Sequence, residues 1–139
     1  MRKHTVHSMI AIFAMLCLVI STPVTTAAAK NVDEPMIQPR YTGIFQFAVD
    51  LDISSSGYAS CYGYVAPSSG YSVDLTMELQ RDGTTIKSWT ASGSTTFSMD
   101  KGYYVTKGHD YQVVLTANVK NSKDITVSTP SLTSNVVSY

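Results

Sequence analysis

The chain has 139 residues, 44% of them hydrophobic and only 14% charged, with ten Lys and Arg balancing ten Asp and Glu. The absence of a basic patch argues against nucleic acid as a partner. A charged fraction below the roughly 25% of an average domain leaves Ser and Thr to cover much of the surface, which suits an uncharged partner or none.

Residues 1–29 read as a secretory signal peptide. Arg2 and Lys3 give a positive start, Met9 to Ile20 is unbroken apolar sequence, Pro23 breaks it, and Ala27-Ala28-Ala29 offers a small-x-small cleavage site. As a helix the apolar run would span about 18 Å, short of the roughly 30 Å hydrocarbon core, so the expected membrane contact is through the uncleaved signal during export. Cys17 raises lipid attachment as a rival, but Leu16 and Leu18 do not suit a lipoprotein signal. The expected location is therefore secreted. Cutting after Ala29 leaves eight basic and ten acidic residues, a formal charge of −2, on a chain of one-domain size.

Residues 30–40, with Asp33, Glu34, Pro35 and Pro39, read as a flexible leader before a domain at 41–139. From Tyr41 the pattern turns to period two. Phe45, Phe47, Val49, Leu51 and Ile53 alternate with Gln46, Ala48, Asp50 and Asp52, which predicts a half-buried strand with the phenylalanines inward. After the turn Ser54-Ser55-Ser56-Gly57, Tyr58 to Val65 predicts a second strand. Ala59, Cys61, Gly63 and Val65 form one face, and Tyr58, Tyr62 and Tyr64 the other. A third strand over Ser72 to Arg81 buries Val73, Leu75, Met77 and Leu79, and Asp82-Gly83 closes a type I′ hairpin onto Thr84 to Thr90. Ile86 and Trp89 are three apart, so either a bulge rotates that strand or the tryptophan faces out.

Thr95 to Asp100 predicts a short strand ending before Lys101-Gly102, with Phe97 and Met99 on one face. Val105, Lys107-Gly108, Tyr111, Val113, Leu115, Ala117 and Val119 then resemble the tyrosine corner and strand F of immunoglobulin-like and fibronectin type III domains. That resemblance gives Tyr111 and Gly108 structural roles. Asn121 to Asp124 turns the chain, and Pro130 divides Ile125 to Tyr139 into two expected pieces. About seven strands without a helical period predict an all-β, antiparallel two-sheet sandwich, with a small closed barrel as the runner-up.

The stretch from residue 39 onward also resembles a domain-of-unknown-function family of small exported proteins from Gram-positive gut bacteria. The resemblance is carried by Pro39-Arg40-Tyr41, Ile44, Leu51-Asp52-Ile53, the run Gly57 to Gly63, Gly70-Tyr71, Leu75-Thr76, Glu78-Leu79, Trp89 and Tyr103 to Tyr111. It implies export and the fold, and brings no activity.

Chemistry is sparse. Cys61, the one cysteine after Ala29, is either a buried small hydrophobe or a thiol that pairs with another chain. His109 falls in the tyrosine-corner loop, and Asp50 with Asp52 reads as the wet face of a strand rather than a glycosidase pair or a calcium site. No metal-spaced Cys and His cluster, HExxH or phosphate loop is present, so no enzyme, metal or cofactor is expected. The remaining signal is aromatic. Tyr58, Tyr62 and Tyr64, extended by Tyr71, Tyr103 or Tyr104 and joined by Trp89 if it is exposed, suit an extracellular glycan or protein surface. The rival readings are cross-strand pairs that merely stabilise the sheet, and an assembly protein joined through sheet edges or Cys61.

Overall fold

The computed structural model describes residues 40–139. The expected signal, Cys17 and the leader up to residue 39 lie outside them. Among the described residues nine strands follow one another without a helix: β1 (Ile44–Ile53), β2 (Tyr58–Pro67), β3 (Tyr71–Arg81), β4 (Thr84–Gly93), β5 (Phe97–Tyr104), β6 (Asp110–Asn121), β7 (Thr126–Ser128), β8 (Ser131–Thr133) and β9 (Val137–Ser138). They form two antiparallel sheets packed as a sandwich. One has the order β1-β2-β5, and the other has β4-β3-β6 with β7, β8 and β9 along the far side of β6. The chain crosses between sheets after β2, β4 and β5. This order is consistent with the immunoglobulin and fibronectin III-like expectation.

Alternation builds the core. Val73, Leu75, Met77 and Leu79 of β3 and Val113, Leu115, Ala117 and Val119 of β6 point to the same side of paired strands and are fully buried. Each large aliphatic side chain there contributes about 1.5–3 kcal/mol by leaving water. The opposing sheet answers with Leu51, Ala59, Cys61, Val65 and Met99. Its β2 residues are small because the sheets approach closely. A Cβ built on Gly63 would lie 2.8 Å from Leu115 Cδ1, closer than carbon atoms tolerate.

Three local expectations change in the folded chain, and one open alternative, the bulge in β4, is decided. The register of β1 on β2 shifts between Ile44 and Gln46, so Ile44 is buried and Phe45 is turned out, 76% exposed. The bulge inserts one residue and breaks the strict alternation that placed Phe45 inward. In β4 the register shifts opposite Leu79 and Gln80, leaving Ile86 as the extra residue. The bulge thus sends both Ile86 and Trp89 toward the core, each half-buried against it. β5 does not end before Lys101-Gly102 but continues to Tyr104, because pairing with Ala59 and Tyr58 of β2 carries it on.

The C-terminal edge forms three pieces rather than two. Pro130 lacks an N–H but accepts from the Ala117 N–H at 2.9 Å. At Ser134 the side-chain hydroxyl accepts from the Val113 N–H at 2.8 Å, replacing a ladder bond and ending β8. Counted as one broken edge, these pieces bring the sandwich to the seven expected strand positions.

Turns and corner follow their residues. Asp82 and Gly83 both take positive φ, 48° and 81°, as a type I′ turn requires. Tyr111, 1% exposed, donates its hydroxyl to the Thr106 carbonyl at 2.7 Å and accepts from the Thr106 N–H at 3.2 Å, which ties the start of β6 to the loop before it. Replacing Tyr111→Phe leaves both Thr106 groups unpaired. It should lower stability by about 1–3 kcal/mol and Tm by roughly 4–8 °C for each of those kcal/mol. A thermal melt with unchanged far-UV circular dichroism checks this, and an unmoved Tm would show the corner to be idle.

Candidate functional site

The outer face of the three-stranded sheet is built by the same alternation that fills the core. With Ala59, Cys61, Gly63 and Val65 turned inward and fully covered, Tyr58, Tyr62 and Tyr64 of the central strand must turn outward. Tyr58 and Tyr62 are 40% and 41% exposed, and Tyr64 is partly covered. Cross-strand register sets their neighbours. Tyr62 stands directly between Asp50 of β1 and Asp100 of β5, and Tyr64 between Ala48 and Ser98. The Tyr64 hydroxyl donates to Gln46 Oε1 at 3.3 Å. Tyr58 is opposite Tyr104 and meets it edge to face, ring centroids 5.1 Å apart at 69°. Its ring lies across Gly102, where any Cβ would collide with it.

Tyr104, 72% exposed, thus becomes the fourth member of the face. The sequence offers it, beside Tyr71 and Tyr103, as an extension of the stripe from a turn, since Lys101-Gly102 reads as a break. Tyr103 pairs with inward-facing Ala59 and so points to the opposite side. Tyr71 packs onto Gly43 beside the core. Trp89 is not part of this face: it lies in the other sheet, opposite buried Met77 and directed toward the core. Such a face can stack planar groups and accept hydrogen bonds. Across the sandwich, the outward positions of β3 and β6, from Ser72 to Gln80 and from Gln112 to Lys120, carry no aromatic residue.

Cys61 lies beneath this face with no exposed surface. Burial pushes its thiol up to about 11, with the nearby Asp100 charge adding to the shift. A thiol so placed is a poor nucleophile, and an intermolecular disulfide would require the core to open. The structure does not bring it to His109.

His109 instead sits at one end of the sandwich in a shallow depression lined also by Asp82, Gly108, Asp110, Ser138 and Tyr139. Its Nδ1 lies 2.5 Å from Asp82 Oδ2, the Asp110 N–H donates to Asp82 Oδ1 at 3.0 Å, and the Ser138 hydroxyl donates to Asp110 Oδ1 at 2.6 Å. Gly108, at φ 86°, and His109 both donate backbone N–H groups to the Tyr139 carbonyl. Asp82 was read as turn chemistry alone, and only the fold shows it as the partner of His109 across 27 residues. The pair orients an imidazole and ties the β3-β4 turn to β6, while His109 Nε2 makes no side-chain hydrogen bond among the described residues. Nor does any group of three or more His, Cys, Asp or Glu gather there to hold a metal.

No protein-family model matches the chain, and no curated protein matches it.

The Asp110 N–H and then His109 hold the Asp82 carboxyl below its ordinary range. Hydrogen bonds from Lys120 and then Ser92 do the same for Asp74. In acid the folded state therefore binds fewer protons at these groups than the unfolded state. Their stabilisation is fully present above the unfolded carboxylate value of about 4 and is lost as pH falls through the lower folded values. The double replacement of Asp74 and Asp82 by Asn should flatten the acid limb of a Tm-against-pH profile below about pH 4. An unchanged acid limb would remove these two groups as its source.

Proposed function

We propose that this protein is an exported, non-catalytic binding module that presents the outer face of its three-stranded sheet to an extracellular surface, a glycan, cell wall or protein. The observation that carries this reading is the gathering of Tyr58, Tyr62, Tyr64 and Tyr104 on one sheet face that nothing covers among the described residues. Tyrosine supplies a large, rigid contact area with a polar tip, and few other side chains stack as well at so small an entropic cost. The outward positions of β3 and β6 in the opposite sheet carry Ser, Thr, Gln, Asn, Val114 and charged residues but no aromatic side chain. The export half rests on the signal-like pattern of residues 1–29.

The non-catalytic half is supported by the separation of the reactive groups. Cys61 is sealed in the core, His109 is at the end of the sandwich, and Asp50 and Asp52 lie on a flat strand face.

Purified protein should be retained on at least one of insoluble polysaccharide, bacterial cell wall or mucin. Replacing Tyr58, Tyr62 and Tyr64 together by Thr should abolish that retention while leaving Tm nearly unchanged. Retention undiminished in the variant would remove the tyrosines as the site.

A second reading, self-assembly through sheet edges, is favoured by β5. It is an edge strand of eight residues, paired with β2 on one side without a bulge, and Asp100 to Tyr104 are all exposed. Unbulged edges can add a further strand. Light scattering should then give a mass above the monomer that is insensitive to reductant and falls on Tyr103→Pro. A clean monomer at high concentration excludes this reading.

A further inference from the structure

Charge on the two outer faces is handled differently. Residues 40–139 carry seven Lys and Arg against eight Asp and Glu, so the domain is nearly neutral. On and around the six-stranded side the acids are answered, Asp74, Asp82 and Asp124 by a basic group and Glu78 and Asp110 only by the Thr85 and Ser138 hydroxyls. Lys120 Nζ lies 2.8 Å from Asp74 and 3.5 Å from Asp124, and Asp82 is held by His109. On the tyrosine face they are not. The outward positions are Gln46, Ala48, Asp50 and Asp52 on β1, Tyr58, Ser60, Tyr62 and Tyr64 on β2, and Ser98, Asp100, Gly102 and Tyr104 on β5. No Lys or Arg is among them, and Asp50, Asp52 and Asp100 make no ion pair among the described residues. Lys101, the nearest cation in sequence, pairs opposite inward-facing Cys61 and so belongs to the other side of the strand.

We propose that this face takes a basic polypeptide segment in extended conformation, with Lys or Arg at alternate positions; the proposal rests on the binding-module reading and names its partner. The row Asp50, Tyr62, Asp100 puts a ring between two carboxylates, each one strand spacing away, about 4.8 Å. That is the arrangement a cation over an aromatic ring uses, with the ring face attracting the charge and the carboxylates accepting its N–H groups. Asp52 repeats the carboxylate two residues from Asp50, about 6.7 Å along the strand. An extended chain with a basic residue at every second position presents its charges at the same interval. The apolar stem of each Lys or Arg lies along tyrosine while its head reaches a carboxylate, so one side chain satisfies both kinds of group. An uncharged partner, the expectation from overall composition, would leave the three carboxylates unanswered.

The probes are fluorescein-labelled 12-residue peptides of alternating Lys-Thr, Glu-Thr and Ser-Thr, together with a soluble chitosan oligomer as a cationic glycan, read by fluorescence anisotropy or competition. The Lys-Thr peptide should bind, with affinity falling as salt rises, and the other two peptides should not. Replacing Asp50, Asp52 and Asp100 together by Asn should weaken it about tenfold, three exposed pairs' worth, without lowering Tm. Should that variant not fold, the salt titration of the unmodified protein decides alone. An unbound Lys-Thr peptide, binding indifferent to salt, or full binding by a folded Asn variant overturns the proposal, and so does chitosan binding tighter than the peptide. If the peptide fails while tyrosine-dependent retention on wall, polysaccharide or mucin persists, only this inference falls. If both fail, the binding-module reading falls with it.

Discussion

The close approach of the two sheets at Gly63 and Leu115 governs both the inside and the outside of the molecule. Leu115 sits in the middle of β6, flanked by Val113 and Ala117 and paired with Met77 of β3, so the six-stranded sheet brings the bulk to the core. The facing strand β2 has room only for Ala59, Cys61 and Gly63, because an added methyl at Gly63 would meet the Leu115 side chain. Interiors pack to crystal-like density, so volume supplied by one sheet is volume denied to the other. With small residues required inside, the strand's large residues, all tyrosines, are outside. The aromatic face is thus the reverse side of a packing constraint, and the register of β2 cannot slip by one residue without driving tyrosine into Leu115.

Around this contact the fold is closed by polar ties rather than by covalent ones. The Tyr111 hydroxyl holds the loop before β6, Ser134 stands in for a backbone group beside Val113, and Asp82 joins the β3-β4 turn to the start of β6. All three act on β6, which, like β2 and β3, carries pairing partners on both sides. The hydrogen bonds to Asp82 connect groups 27 and 28 residues apart, so their formation costs loop entropy that the core burial offsets.

The two outer faces treat charge and aromatic side chains differently. On the six-stranded sheet Asp74 pairs with Lys120, Glu78 accepts from the Thr85 hydroxyl, and the other outward positions of β3 and β6 are Ser, Thr, Gln, Asn and Val114, the composition of a face that mainly needs to stay wet. The three-stranded sheet leaves four tyrosines and three carboxylates on one face, the acids on β1 and β5 flanking β2 with no ion pair among the described residues. A face that holds uncompensated charge around aromatic rings is better suited to a partner than to the fold.

Period-two alternation was enough to read β2, β3, β6 and the sandwich, turn chemistry gave Asp82-Gly83, and the resemblance to immunoglobulin-like and fibronectin type III domains implied the corner at Tyr111, because each depends on neighbours in sequence. The outward direction of Tyr58, Tyr62 and Tyr64 followed from the same pattern. The bulge at Phe45, the extension of β5 through Lys101-Gly102 and the three-way division of the last edge were not legible, and the choice between a bulge in β4 and an outward Trp89 stayed open, since each answers to a partner strand far along the chain. Those long-range pairings turned Trp89 toward the core, chose Tyr104 over Tyr71 and Tyr103 as the extension of the face, joined Asp82 to His109, and set Asp50 and Asp100 on either side of Tyr62. Local alternation determines which side of its own strand a residue occupies. Only the register between strands decides which residues share a site, because that register is fixed by how the two sheets fill one core.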